Sequence, residues 1–193
     1  MTNEGSAGAP GDQGGGSRER VKPLLRVRQT REFEPEPPTD EELAAIVDAA
    51  RWTGSAANEQ PWRFIVIRDL ATLKALHVAG MPQTRGLATA PAAIAIVLPG
   101  DERTVSRAYD EGRAAERIMI AAHQLGLAAG ISWIRSAVGP TVAPLLGLPA
   151  ERFVRTIVAV GHPTERARQP NSPPGQARLP RDQVVVEERW PAG

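Results

Sequence analysis

Cysteine is absent from the 193 residues, which excludes a disulfide, a thiolate nucleophile and any cysteine-ligated metal. Histidine is scarce: His77, His123 and His162 are scattered, and no zinc-ligand spacing results. Lysine is reduced to Lys22 and Lys74 among 23 basic residues, which 22 acidic residues balance. Without an extended field of one sign, nucleic acid and anionic membrane surfaces are poor partners, and any cationic site has to be local. No apolar run approaches the roughly 20 residues of a membrane span, and the N-terminus lacks the apolar stretch of a signal peptide, so the cytoplasm is the expected compartment. G-x-S-x-G, P-loop and G-x-G-x-x-G motifs are missing as well. Redox chemistry would therefore need a borrowed cofactor, with a nicotinamide as a visiting substrate at most. Asp and Glu cluster at helix starts and on helical faces, where caps and surface pairs account for them, and no paired-carboxylate hydrolase site stands out.

What is present suffices for one sizeable core, at 41% hydrophobic residues. A single domain over residues 18–193 is expected behind a leader, residues 1–17, whose Gly, Ser, Ala and Pro have almost nothing to bury and read as disordered. Residues 18–26 suit a short helix interrupted or restarted at Pro23. Thr39-Asp-Glu-Glu42 is a capping box, and Leu43, Ile46, Val47 and Ala50 follow at helical spacing, which predicts a helix over 39–52. Residues 62–69 read as a strand and 70–79 as a helix; 92–98, apolar throughout, read as a central strand covered on both faces. The longest helix is expected over 104–125. Its second half is apolar nearly all round, so it should be buried on more than one side, in the core and against another subunit. Residues 126–134 show a glycine helix stop and a short strand, Gly139-Pro140 leads into a short helix to Leu146, and 153–160 form a further strand. After an irregular loop over 164–180, Gln183-Val-Val-Val186 reads as one more strand, on an arm reaching a partner subunit. The fold class is α+β: a mixed central sheet of four to five strands flanked by helices, with a C-terminal arm exchanged in a homodimer.

Several polar groups stand outside this pattern. Arg28 and Arg31, beside Gln29 and Thr30, can form a fork for a phosphate, or a charged turn paired to Glu32, Glu34 or Glu36. Ser55 and Asn58 lie in a small-residue loop that lets a flat ligand approach and bonds its edge, or that simply joins a helix to a strand. Gln60-Pro61-Trp62 fixes the entry to that strand. Gly130 permits close approach of a ligand to the amides up to Ile134, and Trp133 is either a core aromatic or a cofactor edge. Arg178 is a surface charge or a third phosphate ligand.

Arg28-Gln-Thr-Arg-Glu-Phe33 is similar to the R-x-x-R-x-F opening of the nitroreductase family of FMN-dependent oxidoreductases, in its short, single-domain form. Residues 54–62 resemble its P-S-x-x-N-x-Q-P-W segment, and 110–134 its long helix followed by Gly-Leu and Trp-Ile. Val160-Gly-His-Pro163 and Arg178-Leu-Pro180 resemble its ending, so the likeness spans about residues 24–190 in family order. The resemblance implies an FMN phosphate held by Arg28, Arg31 and Arg178, with Gln29 and Thr30 on the ribityl side. Ser55, Asn58 and Gln60 would bond the ring or ribityl chain, and the amides of Ser132, Trp133 and Ile134 would lie by N5 and O4. It further implies a homodimer with two flavins at its interface, and two-electron transfer from NADH or NADPH to a nitroaromatic, quinone or activated alkene by a ping-pong route. The flavin would carry the chemistry, so no catalytic side chain and no metal is expected. The family often has Ser at the place of Gln29, Arg at that of Val27 and Pro at that of Gly54; the first two departures imply a weaker phosphate site. The covering insertion between Leu98 and Thr104 is short, which implies an open acceptor site. Alternatives within the same fold are a flavin-fragmenting, dehalogenating or deazaflavin-using enzyme; outside it, a flavin-binding protein without turnover.

Overall fold

The structure, a computed structural model, describes residues 16–101, 103–170, 172–173 and 175–190. The expected leader lies outside them apart from its last two residues, and Ser17 already opens the first helix, α1 (Ser17–Val21). Pro23 does not end the chain's helical course there. It sits at the start of a 3₁₀ turn, Lys22–Arg26, where the missing N–H costs nothing.

The capping box at Thr39 forms as the sequence predicts. The Thr39 hydroxyl accepts from the Glu42 amide, and the Glu42 carboxylate accepts from Thr39 N–H at 2.8 Å, which starts α2 (Asp40–Arg51). The chain continues through β1 (Arg63–Ile67), α3 (Leu70–Gly80), β2 (Ala92–Pro99) and the long α4 (Val105–Gln124). It ends with β3 (Ala128–Trp133), α5 (Gly139–Leu145), β4 (Arg152–Gly161) and two single helical turns, α6 (Glu165–Arg168) and α7 (Arg181–Val184).

The sheet has the order β1-β2-β4-β3 and every strand pairing is antiparallel. The mixed sheet expected from the sequence is thus reduced to one parallel bridge, Gln29 to Ala129, on the outer edge of β3. Alternation along β2 divides the core into two layers. Ile94, Ile96 and Leu98 face a cluster with Leu43 and Ile46 of α2 and Ile118 of α4. Ala93 and Ala95 face the opposite cluster, with Leu73 and Leu76 of α3 and Val142 of α5. Both layers are filled, which explains why β2 shows no polar alternation. Ile118, Met119 and Ala122 of α4 are buried, as its apolar second half requires.

Two local departures bear on function. A bulge shifts the β2–β4 register between Ile96 and Val97, so that Arg155 of β4 falls between the pairs Ile96 with Thr156 and Val97 with Val154. Its side chain meets the buried Glu111 of α4, with Nε donating at 2.8 Å. The expected strand over 183–186 does not form. Its first two residues are in α7, Val185 N–H donates to the Arg181 carbonyl at 2.9 Å, and Val184, Val185 and Val186 are exposed. A strand needs a neighbour to satisfy its main chain, and none pairs with this segment among the described residues. In those residues no helix is long and apolar enough to cross a membrane.

Candidate functional site

The segment between the first 3₁₀ turn and α2 is stitched to the edge of β3. Thr30 N–H donates to the Ala129 carbonyl at 2.9 Å. The Gln29 amide does what another strand would do: its Nε2 donates to the Ile131 carbonyl at 2.7 Å and its Oε1 accepts from Ile131 N–H at 2.9 Å. Gln29 is therefore committed to main chain on both of its polar atoms. Gly130 is required at this seam, because a Cβ built there would overlap the Thr30 carbonyl oxygen.

Stitched in this way, residues 28–31 form the floor between two clefts. One, of about 720 Å³, is lined by Arg28, Gln29, Arg31 and Arg178 together with Leu24 and Glu116. The other, of about 530 Å³, is lined by Gln29, Thr30, Arg31, Arg85 and Thr89 together with Arg166 and its ion-pair partner Glu32. The three arginines singled out in the sequence thus converge, although 147 positions (178 − 31) separate Arg31 from Arg178. Arg28 donates to the Arg168 carbonyl at 2.8 Å, and Arg178 to its own neighbour's carbonyl, Ala177, at 2.7 Å. No carboxylate pairs with Arg28, Arg31, Arg85 or Arg178 among the described residues. Partial burial and then the neighbouring Arg85 guanidinium lower the pKa of Arg31 from its ordinary value. Nothing in the loop over 80–86 marked Arg85 as a partner of this cluster; only the fold brings it there.

Ser55, Asn58 and Gln60 stand elsewhere. Their loop follows α2 and carries three left-handed non-glycine residues, Ala57 at φ 49°, Asn58 at 55° and Gln60 at 48°. Such backbone persists only where surrounding contacts over-determine it. Ser55 Oγ accepts from Gln60 N–H at 2.9 Å, Arg107 reaches Glu59 at 2.6 Å, and the Asp110 carboxylate, 2% exposed, accepts from Ala56 N–H at 3.1 Å. Asp110 and Arg107 are structural keys that the charge pattern of α4 did not single out. Their signal was the i, i+3 spacing on the face that meets the loop.

This loop packs on the first half of α4, whereas Val27, Arg28 and Thr30 share a small cleft with Met119 and His123 in its second half. The nine residues from Asp110 to Met119 correspond to roughly 14 Å of helix. Within one chain the loop and the arginines are separate groups. At the far end of β3, Ser132 and Ile134 are buried and Trp133 is exposed. The Ile134 amide donates to the Arg155 carbonyl at 2.7 Å, so it is not open to a ligand as the sequence reading supposed. This bond continues the regular antiparallel register of β3 with β4 by one residue beyond the pair of Trp133 with Thr156.

Known proteins agree with the architecture. The family model described as the nitroreductase family matches residues 26–162. The chain is 33% identical over 156 residues to an Archaeoglobus fulgidus protein provisionally named NADH dehydrogenase/NAD(P)H nitroreductase, covering 76% of this chain and 87% of that one. It is 26% identical over 196 residues to an NADH dehydrogenase of Thermus thermophilus, covering 84% and 92%. Among solved structures, an FMN-dependent nitroreductase from Clostridium difficile R20291 superposes with a TM-score of 0.75 at 22% identity, over 88% of this chain and 99% of that one.

Proposed function

Because the chain belongs to the nitroreductase family, we propose that it is an FMN-dependent oxidoreductase, working as a homodimer, that moves two electrons from NADH or NADPH to an acceptor such as a nitroaromatic or a quinone. The observation that carries this reading is the arginine cleft. Three guanidiniums from two distant segments line one cleft, none of them ion-paired to a carboxylate among the described residues although Glu116 stands in the wall, and such a cluster is stabilised by an anion with paired acceptors, as a terminal phosphate has. The naming of the Clostridium relative as FMN-dependent supports the choice of flavin.

The residues fit a phosphate-bearing flavin. Arg28, Arg31 and Arg178 would grip the phosphate. Arg31 lines both clefts and Arg85 lines the second, so Arg85 would add a positive charge beside the group that Arg31 holds. Gln29 contributes by position: its two bonds to Ile131 hold the 28–31 floor against β3, and Gly130 allows that contact. Bound there, FMN would supply the redox step, accepting a hydride from the nicotinamide and handing two electrons to the acceptor in a second encounter.

The separation of the loop from the arginines supports the dimer. A two-fold axis that runs α4 antiparallel to its copy would bring the Ser55, Asn58 and Gln60 loop of one chain toward the arginine cleft of the other. The apolar residues of the C-terminal segment, Leu179, Val184–Val186 and Trp190, are exposed in the single chain, Trp190 at 85%, and they would cover the same interface.

Purification and an absorbance spectrum test the reading. A yellow protein whose flavin band bleaches with NADH or NADPH in the absence of oxygen is the expected result. A colourless protein that takes up no FMN overturns it, and a yellow one that neither nucleotide reduces leaves a flavin-binding protein without this turnover.

A further inference from the structure

We propose that Arg113 determines which acceptor the site prefers: a flat aromatic molecule that carries a carboxylate, over a neutral one of the same shape. This rests on the flavin reading above and adds to it the charge class of the second substrate.

The first half of α4 meets the loop over 54–60 through three side chains at three-residue spacing, neighbours along the helix surface. Arg107 is committed to Glu59 at 2.6 Å, and Asp110 to the Ala56 amide at 3.1 Å. Arg113 reaches the same loop at Gly54, where a Cβ would stand 2.7 Å from its Nη2. Glycine thus leaves the room that the guanidinium occupies, and any side chain at 54 would contest it. Unlike its two neighbours, Arg113 forms no hydrogen bond or ion pair among the described residues.

The acids around it are occupied. Glu59 and Asp110 are bonded as above, Glu111 holds Arg155 at 2.8 Å, and Asp48 holds Arg51 at 2.7 Å. Glu116, one turn further along α4, lines the arginine cleft. An exposed arginine on a helix is usually a solvated charge, but a solvated charge does not need a glycine cleared beneath it. The left-handed backbone at Ala57, Asn58 and Gln60 gives the loop one fixed shape, so this cation stands at a set place relative to Ser55 and Asn58.

These features define the acceptor by its chemistry. The planar fork of arginine pairs with a carboxylate through two parallel bonds. The small residues of the loop admit a flat ring, and the proposed dimer sets that loop beside the flavin. A nitrobenzoate meets both demands. One turnover takes its nitro group to nitroso and water, with the hydride of NADH or NADPH and one proton from solvent, so two electrons are transferred and the nicotinamide leaves oxidised.

The probes are 4-nitrobenzoate and neutral 4-nitrobenzamide, used on the full-length protein as purified and at constant ionic strength. Calorimetric titration of the oxidised protein should show saturable binding of the benzoate, at least about tenfold tighter than the amide, the effect of one charge-assisted bond. Arg113→Leu should abolish that preference, and the ratio of kcat/KM for the two acceptors should fall by at least about tenfold with it. Circular dichroism checks the fold; should the leucine variant fail to fold, Arg113→Gln takes its place with the same expectation. The inference is overturned if the two probes bind equally well, or if the variant keeps the parent's ratio. Dissociation of the variant into single chains with its preference intact would assign Arg113 to the subunit contact and overturn it as well. A protein that holds FMN and bleaches with NADH or NADPH yet shows no carboxylate preference removes this inference alone. One that takes up no FMN removes the flavin reading with it.

Discussion

At the scale of single residues, the cationic cleft is a set of arginines that the chain assembles without ion-pairing them to a carboxylate among the described residues. Arg178 is the most informative member, because among the described residues its side chain hydrogen-bonds only to the adjacent Ala177 carbonyl. Arg178→Ala should keep its circular dichroism and melting temperature but lose FMN affinity by about 10- to 100-fold, the worth of one charge-assisted bond, in a flavin titration. Asp110 acts the other way. Its carboxylate accepts the Ala56 amide at the base of a loop held in left-handed backbone, so Asp110→Ala leaves a donor without a partner. A loss of about 1–3 kcal/mol in denaturant unfolding is expected, with faster amide exchange confined to residues 54–60. That Arg28, Arg31 and Arg178 line one cleft is what the family resemblance leads one to expect, whereas each segment taken alone reads as well as a surface charge. Asp110 was not legible, since a buried carboxylate on a helix looks like any other helical acid until its partner is known. The strain at Ala57 was hidden too, because alanine carries no mark of positive φ.

At the scale of elements, the seam between residues 28–31 and β3 would couple stability to the proposed flavin binding. Gly130→Ala would drive a methyl group into the Thr30 carbonyl, and main chain cannot step aside as a side-chain tip can. Both the melting temperature and FMN affinity should fall in this variant, whereas Thr39→Ala, which removes the cap of α2, should cost about 1 kcal/mol and leave flavin binding unchanged. The cap of α3 gives a pH dependence. Hydrogen bonds from the Thr72 hydroxyl and then the Thr72 amide lower the pKa of Asp69 from its usual value. Its contribution is therefore complete above the unfolded carboxylate pKa of about 3.9 and disappears as the pH falls through the lower folded value. The melting-temperature gap between parent and Asp69→Ala should be constant above about pH 5 and close on acidification below pH 4. The helices were legible where a cap and periodicity coincide, as at Thr39, and β2 by its unbroken apolar run; the cap that Asp69 makes for α3 emerged only with the fold. The segment 183–186 was misread because strand propensity is only half of a strand; the other half is a neighbouring edge, and sequence does not show it.

At the scale of the whole molecule, α4 acts as a spacer. It holds the strained loop near its start and the arginine segment near its end, so a ligand that uses both groups has to draw them from two copies of the chain. Light scattering should report a dimer, but a dimer alone does not say how its sites are built. Mixed assembly does. Arg178→Ala and Asn58→Ala homodimers should each bind FMN weakly, because every site carries one of the two lesions. When the two variants are co-expressed with different tags, the heterodimer places both lesions in one site and leaves the other intact. Absorbance of the doubly purified heterodimer should then show about one tightly bound flavin per pair of chains, set by the two-fold symmetry. Sites built within single chains would instead leave each site with one lesion, and the heterodimer would be as poor in flavin as its parents. Placing both substitutions on the same chain and pairing it with the parent chain reverses the outcome: the shared-site arrangement then damages both sites, while a single-chain arrangement spares one.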